Sequence, residues 1–421
     1  MNIEKIFESR RFHLAAALLI AISIFLVYSN TFYASFHFDD TPQIVENYSI
    51  RSLSKWVDIV RGQRGVATLT FAINYAIGGL NIVGYHIVNL AIHITNGILV
   101  YFLIFLTLNR IDSLKPKAKK IALYTALLFA VHPIQTQAVT YIVQRMEMLA
   151  SMFMLIGLLL FIKGTDVTRM PVKVLLYGSV AISYILGFYS KEIVITLPAI
   201  IFLYDYCFLA HGNLKKLMPR LPIYIIIVGI LGFLAAPTFT GLQETPGGEG
   251  GSAGFNVQSI TSKEYLFTQF NVLIYYITLL FVPINQNLDY DFPISKGLFE
   301  VPVVKQGTVL NIPIPPPIVS LIIILAIIGF AIYFLLKRGT DNSHGARPLI
   351  AFFILWFFII LSPTSSFVPI IDVMFEHRLY LASVGFFVLV SLAFDRLFVR
   401  NARRNPHPDV TSGRSQGELC Q

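Results

Sequence analysis

GYHIVNLAIHITNGILVYFLIFLTL, residues 84–108, contains no Asp, Glu, Lys or Arg. About 20 residues rising 1.5 Å each cross the ~30 Å hydrocarbon core of a bilayer, so the stretch reads as a transmembrane helix. Working outward, similar apolar runs occupy 12–30, 121–135, 146–163, 172–190, 193–210, 221–236, 318–336, 349–362 and 379–396, which predicts about ten spans. Composition agrees: of 421 residues 55% are hydrophobic and 13% charged, whereas soluble domains average about 25% charged. Mean hydropathy is +0.69. A soluble enzyme and a disordered chain are excluded, and the expected fold class is an all-α polytopic membrane bundle.

The net charge of +9 raises the question of nucleic acid, but position answers it. With the N-terminus inside, 22 of the 32 basic residues fall on one side of the ten spans. The positive-inside rule makes that side cytoplasmic, with both termini there, so the charge describes orientation and no nucleic-acid partner is expected. Residues 1–396 then form one transmembrane domain, with a first outer loop at 31–83, further outer loops at 237–265 and 284–317, and a polar cytoplasmic tail at 397–421. The apolar run after Lys5, Arg10 and Arg11 is long enough to span and reads as an uncleaved anchor. Phe267 to Pro283 is apolar enough to span, yet spanning would put Lys337, Arg338 and Arg347 outside, so it reads as an interfacial or re-entrant helix. The Gly-rich ETPGGEGGSAG at 244–254 lacks the GK[ST] of a phosphate cradle and reads as a flexible loop. Asn47-Tyr48-Ser49 is a chance-level sequon, and Cys207 and Cys420 suggest neither a disulfide nor a thiolate metal site.

Ionisable residues in or beside spans are costly unless paired or solvated, which makes them site candidates. Here they gather at the ends of spans predicted to face outward: Asp39 and Asp40 after the first, His132 after the third, Arg145 and Glu147 opening the fourth. Lys191 and Glu192 stand between the fifth and sixth, and Glu376, His377 and Arg378 before the last. One outward, charge-rich pocket at head-group depth follows. His86, Asn89, His93 and Asn96 share one face of the second span at spacings of 3, 4 and 3, and hydrogen bonding between helices is the favoured reading of that face. A carboxylate pair at the lip of a membrane cavity can take a proton from a hydroxyl. Arg145, Lys191 and Arg378 suit an anionic phosphate arriving from the bilayer. A lipid phosphate carrying an activated group fits both halves, and the composite is a transferase acting on a lipid-linked sugar.

Several strings carry a more specific likeness: FDD at 38–40, TLTFAINYAIGGLNIVGYHIVNLAIHITN at 68–96, HPIQTQAVTYIVQRMEMLA at 132–150, YSKEIVITLPAIIFLYD at 189–205, NLDYDFP at 287–293, and LSPTSSFVPIIDVMFEHRLYLASVGF at 361–386. From about residue 20 to 395 the chain resembles the membrane half of the transmembrane and tetratricopeptide-repeat O-mannosyltransferases and their bacterial relatives, in the GT-C class of glycosyltransferases. The resemblance implies a polyprenyl- or dolichyl-phosphate monosaccharide donor, inversion at the anomeric carbon, and an acid of the first outer loop as base. Carried over by position, Asp39 activates the acceptor hydroxyl of a protein or glycolipid and Asp40 orients. Arg145, Lys191 and Arg378 hold the donor phosphate, and His86, His93, His132, Glu147, Glu192, Glu376 and His377 complete the shell. Gln135 and Gln137 stand where the family's string carries His and Glu, and the family's last span and repeats have no counterpart after Arg396. Acceptor selection by repeats is therefore expected to be lost, replaced by a partner or not needed. No cofactor is expected, and a divalent metal is the open alternative, since Asp39, Asp40, Glu147, Glu192 and Glu376 could supply carboxylates while the cations already serve the leaving phosphate. The expected location is a bacterial or archaeal plasma membrane, with the active site extracytoplasmic.

A transporter or flippase of a polyprenyl-linked lipid is the rival from another class. It predicts inverted repeats, broken helices and charges near the midplane, none of which the sequence displays. A non-catalytic scaffold has no use for an acid pair beside three cations.

Overall fold

The computed structural model of the chain describes residues 3–239, 254, 257–305, 308, 310, 312–337 and 346–404. All of the Gly-rich stretch except Gly254, and the tail from 405 on, lie outside the described residues. Twelve helices of eight or more residues order the described chain: α1 Ile3–Tyr28, α2 Gly65–Gly78, α3 Ile82–Leu108, α4 Ala118–Val131, α5 Arg145–Asp166, α6 Met170–Phe188, α7 Leu197–Tyr204, α8 Leu221–Phe239, α9 Ser262–Phe281, α10 Pro317–Leu336, α11 Arg347–Leu361 and α12 Leu379–Arg404. The protein is an all-α polytopic membrane protein. Eight segments are long and apolar enough to cross a bilayer: Arg10–Tyr33, Ile82–Leu108, Ile142–Asp166, Met170–Phe188, Glu192–Leu209, Leu214–Leu234, Pro317–Leu336 and Glu376–Leu397. Two of the ten expected spans are shorter helices that stand beside these eight. The runs at 121–135 and 349–362 form α4 and α11, of 14 and 15 residues. Proline explains both lengths, since it removes a helical donor and disfavours helix in the residue before it. Pro133 follows the end of α4, and Pro348 and Pro363 bracket α11.

The polar face of α3 is what fastens the bundle. Asn89 Nδ2 donates to the carbonyls of Val139 (3.2 Å) and Ile142 (3.3 Å). His93 meets Tyr380 Oη at 2.7 Å through Nδ1 and the Ala130 carbonyl at 3.1 Å through Nε2, while Asn96 Nδ2 donates to the Met148 carbonyl and Tyr380 Oη. Polar side chains between spans act this way because lipid offers them no other partner. His93 is therefore spent deep in the bundle, and His86 lies buried beside the Ala34 backbone. Where α11 and α12 cross, a Cβ on Gly385 would stand 2.4 Å from the Phe353 carbonyl oxygen, so only glycine admits the approach. Trp356 Nε1 then donates to the Leu381 carbonyl at 2.9 Å.

Along its length α9 is bound to the connection between α11 and α12, through Tyr265 to the Thr364 carbonyl, Gln269 to Val373 and Tyr276 to Phe375. Its buried Thr268, Gln269 and Asn271 keep it out of the eight long apolar segments, and the same rim takes up the chain again at 285–290. At the far end of α3, ion pairs Arg110–Asp166, Lys117–Asp395 and Arg220–Asp205 draw the helices together.

Candidate active site

Five chain segments that the sequence separates by up to 340 positions meet on one rim. Asp39 and Asp40 diverge from a tight turn in which the amide of Asp40 donates to the His37 carbonyl and that of Thr41 to Phe38. Phe38 carries that turn at φ 41°, a left-handed conformation rare for a bulky residue. Asp40 faces inward: its Oδ1 accepts from the amide of Val143 at 2.8 Å and its Oδ2 from that of His37 at 3.1 Å, with 1% of the residue exposed. Asp39 faces out, its carboxylate on the exposed side. The amide of Asp39 donates to Tyr141 Oη at 2.8 Å, which brings the phenol beside the turn. One acid is thus committed to the fold, and the other is exposed on the turn beside the Tyr141 phenol.

Burial pushes Asp40 up to about 6, against the two amide bonds and His37, which pull it down, while Asp39 adds a smaller upward push. A carboxyl held above its ordinary range favours the folded state at low pH and surrenders that contribution as pH rises through the folded value. The apparent melting temperature in detergent should therefore fall between about pH 4 and 6, and Asp40→Asn should flatten that part of the profile. An unchanged slope in Asp40→Asn would remove Asp40 from this role.

The remaining named residues knit the rim. Glu376 Oε1 accepts from the Asn287 amide (3.1 Å) and from Tyr290 Oη, and its Oε2 from Gln286 Nε2 (2.6 Å). Gln137, the family departure, accepts through Oε1 from the His377 amide at 2.6 Å and donates through Nε2 to the Leu288 carbonyl at 2.7 Å. His377 stacks on Phe375, and His132 Nδ1 accepts from the Ile134 amide, capping the turn after α4. Gln135 instead points to Ser383. In these places the neutral amides do the joining that an acid would do only with a cation beside it.

The three sequence-named cations separate. Arg145 is fully buried and donates from all three guanidinium nitrogens to protein acceptors: Asn89 Oδ1 and Asn74 Oδ1 (both 2.7 Å), the Tyr85 carbonyl (2.9 Å) and Thr70 (3.3 Å). Its guanidinium lies 4.6 Å from the Phe71 ring centroid. Arg378 donates to the carbonyls of Asp372 (2.7 Å) and Val373 (3.2 Å), shaping the last loop. Both act as internal struts in this structure, where the sequence suggested phosphate contacts. Lys191 Nζ lies 3.0 Å from Glu147 Oε2 and donates to Gln144 Oε1 at 3.2 Å, with its side chain largely covered. Burial draws Lys191 below the ordinary lysine range, against the pull of Glu147.

Three residues were missed. Arg64, from the first loop, grips Glu192 at 3.1 and 3.0 Å. Asp289 and Asp372 are exposed acids within electrostatic reach of each other, and Asp372 also of Asp39: Asp372 is lifted first by burial, then by Asp289 and Asp39, against Arg378. Both lie in strings that carry the family likeness, NLDYDFP and PIIDVMFEHR, where their charge was the available signal. Among the described residues, no three His, Cys, Asp or Glu side chains come together as a set that could hold a metal ion.

Fold and site together define a class, that of polytopic helical membrane proteins with an acid-bearing, cation-rimmed site at one end of the bundle. By sequence, the chain is similar to protein O-mannosyl-transferases. It is 26% identical over 411 residues to the Caenorhabditis elegans protein O-mannosyl-transferase F38B6.6, covering 91% of this chain and 52% of that one. To the human protein O-mannosyl-transferase TMTC3 it is 24% identical over 401 residues, covering 89% and 42%. The human protein O-mannosyl-transferase TMTC2 is 32% identical over 159 residues, or 32% of this chain and 17% of that one. The chain thus spans about half the length, or less, of these relatives. No family model matches it, and no solved structure matches it.

Proposed function

We propose that the chain is an inverting glycosyltransferase that moves a monosaccharide, mannose by analogy with its relatives, from a polyprenyl- or dolichyl-phosphate donor to a protein Ser/Thr hydroxyl on the extracytoplasmic face. One observation carries the reading: an exposed Asp39 carboxylate stands on a turn that a buried Asp40 locks to the segment leading into α5. Asp39 takes the proton of the acceptor hydroxyl as that oxygen attacks the anomeric carbon from the side opposite the phosphate. The carbon–oxygen bond to phosphate breaks, and the polyprenyl phosphate leaves with the electron pair, which inverts the centre. Asp40 is a positioning residue. Lys191 is the named cation best placed to meet the leaving phosphate, while Arg145 and Arg378 hold the walls. The relatives' name and the strings shared with the family support this reading over lipid transport. Mass spectrometry of membrane and exported proteins should find O-linked hexose present with the gene and absent without it; an unchanged hexose inventory would sink the acceptor assignment.

Orientation is tested separately. With Cys420 replaced and Cys207 buried, a cysteine at 113 should resist an impermeant thiol reagent in intact cells, and one at 48 should react. Labelling of position 48 only after lysis would reverse the topology. Metal independence is expected because Lys191 can stabilise the charge developing on the leaving phosphate without a Lewis acid. Activity lost to EDTA and restored by Mg²⁺ or Mn²⁺ would recast the acids as ligands.

A further inference from the structure

Beside the acid turn, two ion pairs lie next to each other on the rim. Lys191 sits at φ −163° and ψ 148°, extended backbone that sends neighbouring side chains to opposite sides. Lys191 therefore turns inward to Glu147, and Glu192 turns outward to Arg64. The inner pair is nearly closed to solvent, with side-chain exposures of 15% and 1%, whereas the outer pair is open at 37% and 45%.

Arg64 is placed with unusual care for a surface residue. Its φ of 55° is left-handed, and the turn closes on Gly65, where a Cβ would stand 2.2 Å from the Val60 carbonyl oxygen. The next amide, of Val66, donates to the Tyr189 carbonyl at 3.0 Å, pinning the start of α2 to the end of α6. Backbone strain of this kind persists where the surroundings overdetermine it, and it aims the guanidinium at the rim. That guanidinium is only part-used. Nε and Nη2 hold the Glu192 carboxylate at two points, while Nη1, among the described residues, reaches the Met146 thioether at 3.7 Å. Arg64, Lys191 and Arg378 all lie within electrostatic reach of His377.

A guanidinium fork binds carboxylate and phosphate by the same two-point geometry. Arg64, Lys191, Glu147 and Glu192 together are neutral, and a phosphodiester carries one negative charge. Exchanging the Glu192 carboxylate for a phosphodiester, with Glu192 released to water, leaves the site neutral, whereas adding the ligand without releasing Glu192 leaves a net negative site. Half-exposed ion pairs are also weak enough to open readily. We infer that Arg64 and Lys191 form the phosphate subsite for a lipid-linked phosphodiester and that Glu192 is a placeholder anion which the ligand displaces. The inference rests on the transferase reading only for the identity of the lipid.

Binding without acceptor separates the two. Purified full-length protein in detergent is titrated with polyprenyl-phosphate-mannose, with the neutral polyprenol of the same length, and with phosphatidylglycerol, binding being read by ligand-induced thermal shift. Arg64→Gln should weaken the first ligand about 10- to 100-fold, the worth of a charge-assisted two-point contact, and Arg64→Lys by less. Glu192→Gln should tighten it about two- to fivefold, because no ion pair has to break, and the double variant should behave like Arg64→Gln. Weaker binding in Glu192→Gln would make Glu192 a structural support and overturn the placeholder role. Equal binding of polyprenol would remove the phosphate from recognition, and equal binding of phosphatidylglycerol would hand the site to bulk lipid. Should Arg64→Gln fail to fold, Arg64→Lys and Glu192→Gln decide the matter alone. The predicted binding pattern without any sugar transfer would sink the transferase reading and keep this one; transfer with binding indifferent to 64 and 192 would do the opposite.

Discussion

Asp39→Asn is expected to lower sugar transfer by about 10²- to 10⁴-fold, the usual contribution of a positioned general base, while leaving insertion and melting temperature unchanged. The stability half of the expectation follows from geometry. Asp39 is an exposed residue whose backbone amide is bonded to Tyr141 Oη, a bond that Asn leaves untouched, and an Asn oxygen can still accept from the Tyr141 phenol beside it. Asp40→Asn should cost less activity, because an Asn oxygen can still accept the Val143 amide and keep the turn tied to the segment before α5, although its NH2 gives up the bond from the His37 amide. If Asp40→Asn were the more damaging of the two, the roles would be exchanged. Near-normal transfer by Asp39→Asn would falsify the assignment of the base.

Arg145→Gln is expected to act on folding. Its removal strands Asn89 Oδ1 and Asn74 Oδ1 in a fully buried site, and each unsatisfied group costs about 1–3 kcal/mol, so the sum is on the order of 2 kcal/mol or more. Lost monodisperse protein after detergent extraction is the expected reading, with Arg145→Lys failing in the same way because an ammonium cannot span three acceptors held in a plane. A well-folded Arg145→Gln with only a raised KM for donor would return Arg145 to the phosphate site.

Arg145 also shows where sequence reading ran out. Charge and position alone placed it with Lys191 and Arg378, since a cation beginning a span looks the same whether it meets a ligand or four backbone and amide acceptors. Separating those cases requires knowing that Asn74, Tyr85 and Asn89 from two other helices converge on it, which is a tertiary fact. The same limit hid Arg64, which in sequence is one basic residue among several in a long loop; only its left-handed turn and its contact with Glu192, 128 positions away, single it out. By contrast, the helices were legible because twenty-residue apolar runs have one use in a bilayer. The gathering of charged groups on one rim was legible because alternating spans return the chain to the same face. The polar stripe of α3 carried its meaning in its spacing, and Tyr380 is the partner that meets it. Helix ends were less legible at 121–135 and 349–362, where the apolar pattern outlasts the helix and proline decides its length.

The central claim is transfer of a sugar from a phosphate lipid, and reconstitution tests it most directly. Purified protein in sealed liposomes is supplied with polyprenyl-phosphate-mannose, radiolabelled in the sugar, and Ser/Thr-containing peptides, with wild type and Asp39→Asn run side by side. The account predicts labelled peptide bearing an inverted glycosidic linkage and free polyprenyl phosphate in equal amount, both lost in Asp39→Asn. Labelled lipid that crosses to the opposite leaflet with its sugar still attached, with no labelled peptide, would contradict it and leave a transporter in its place.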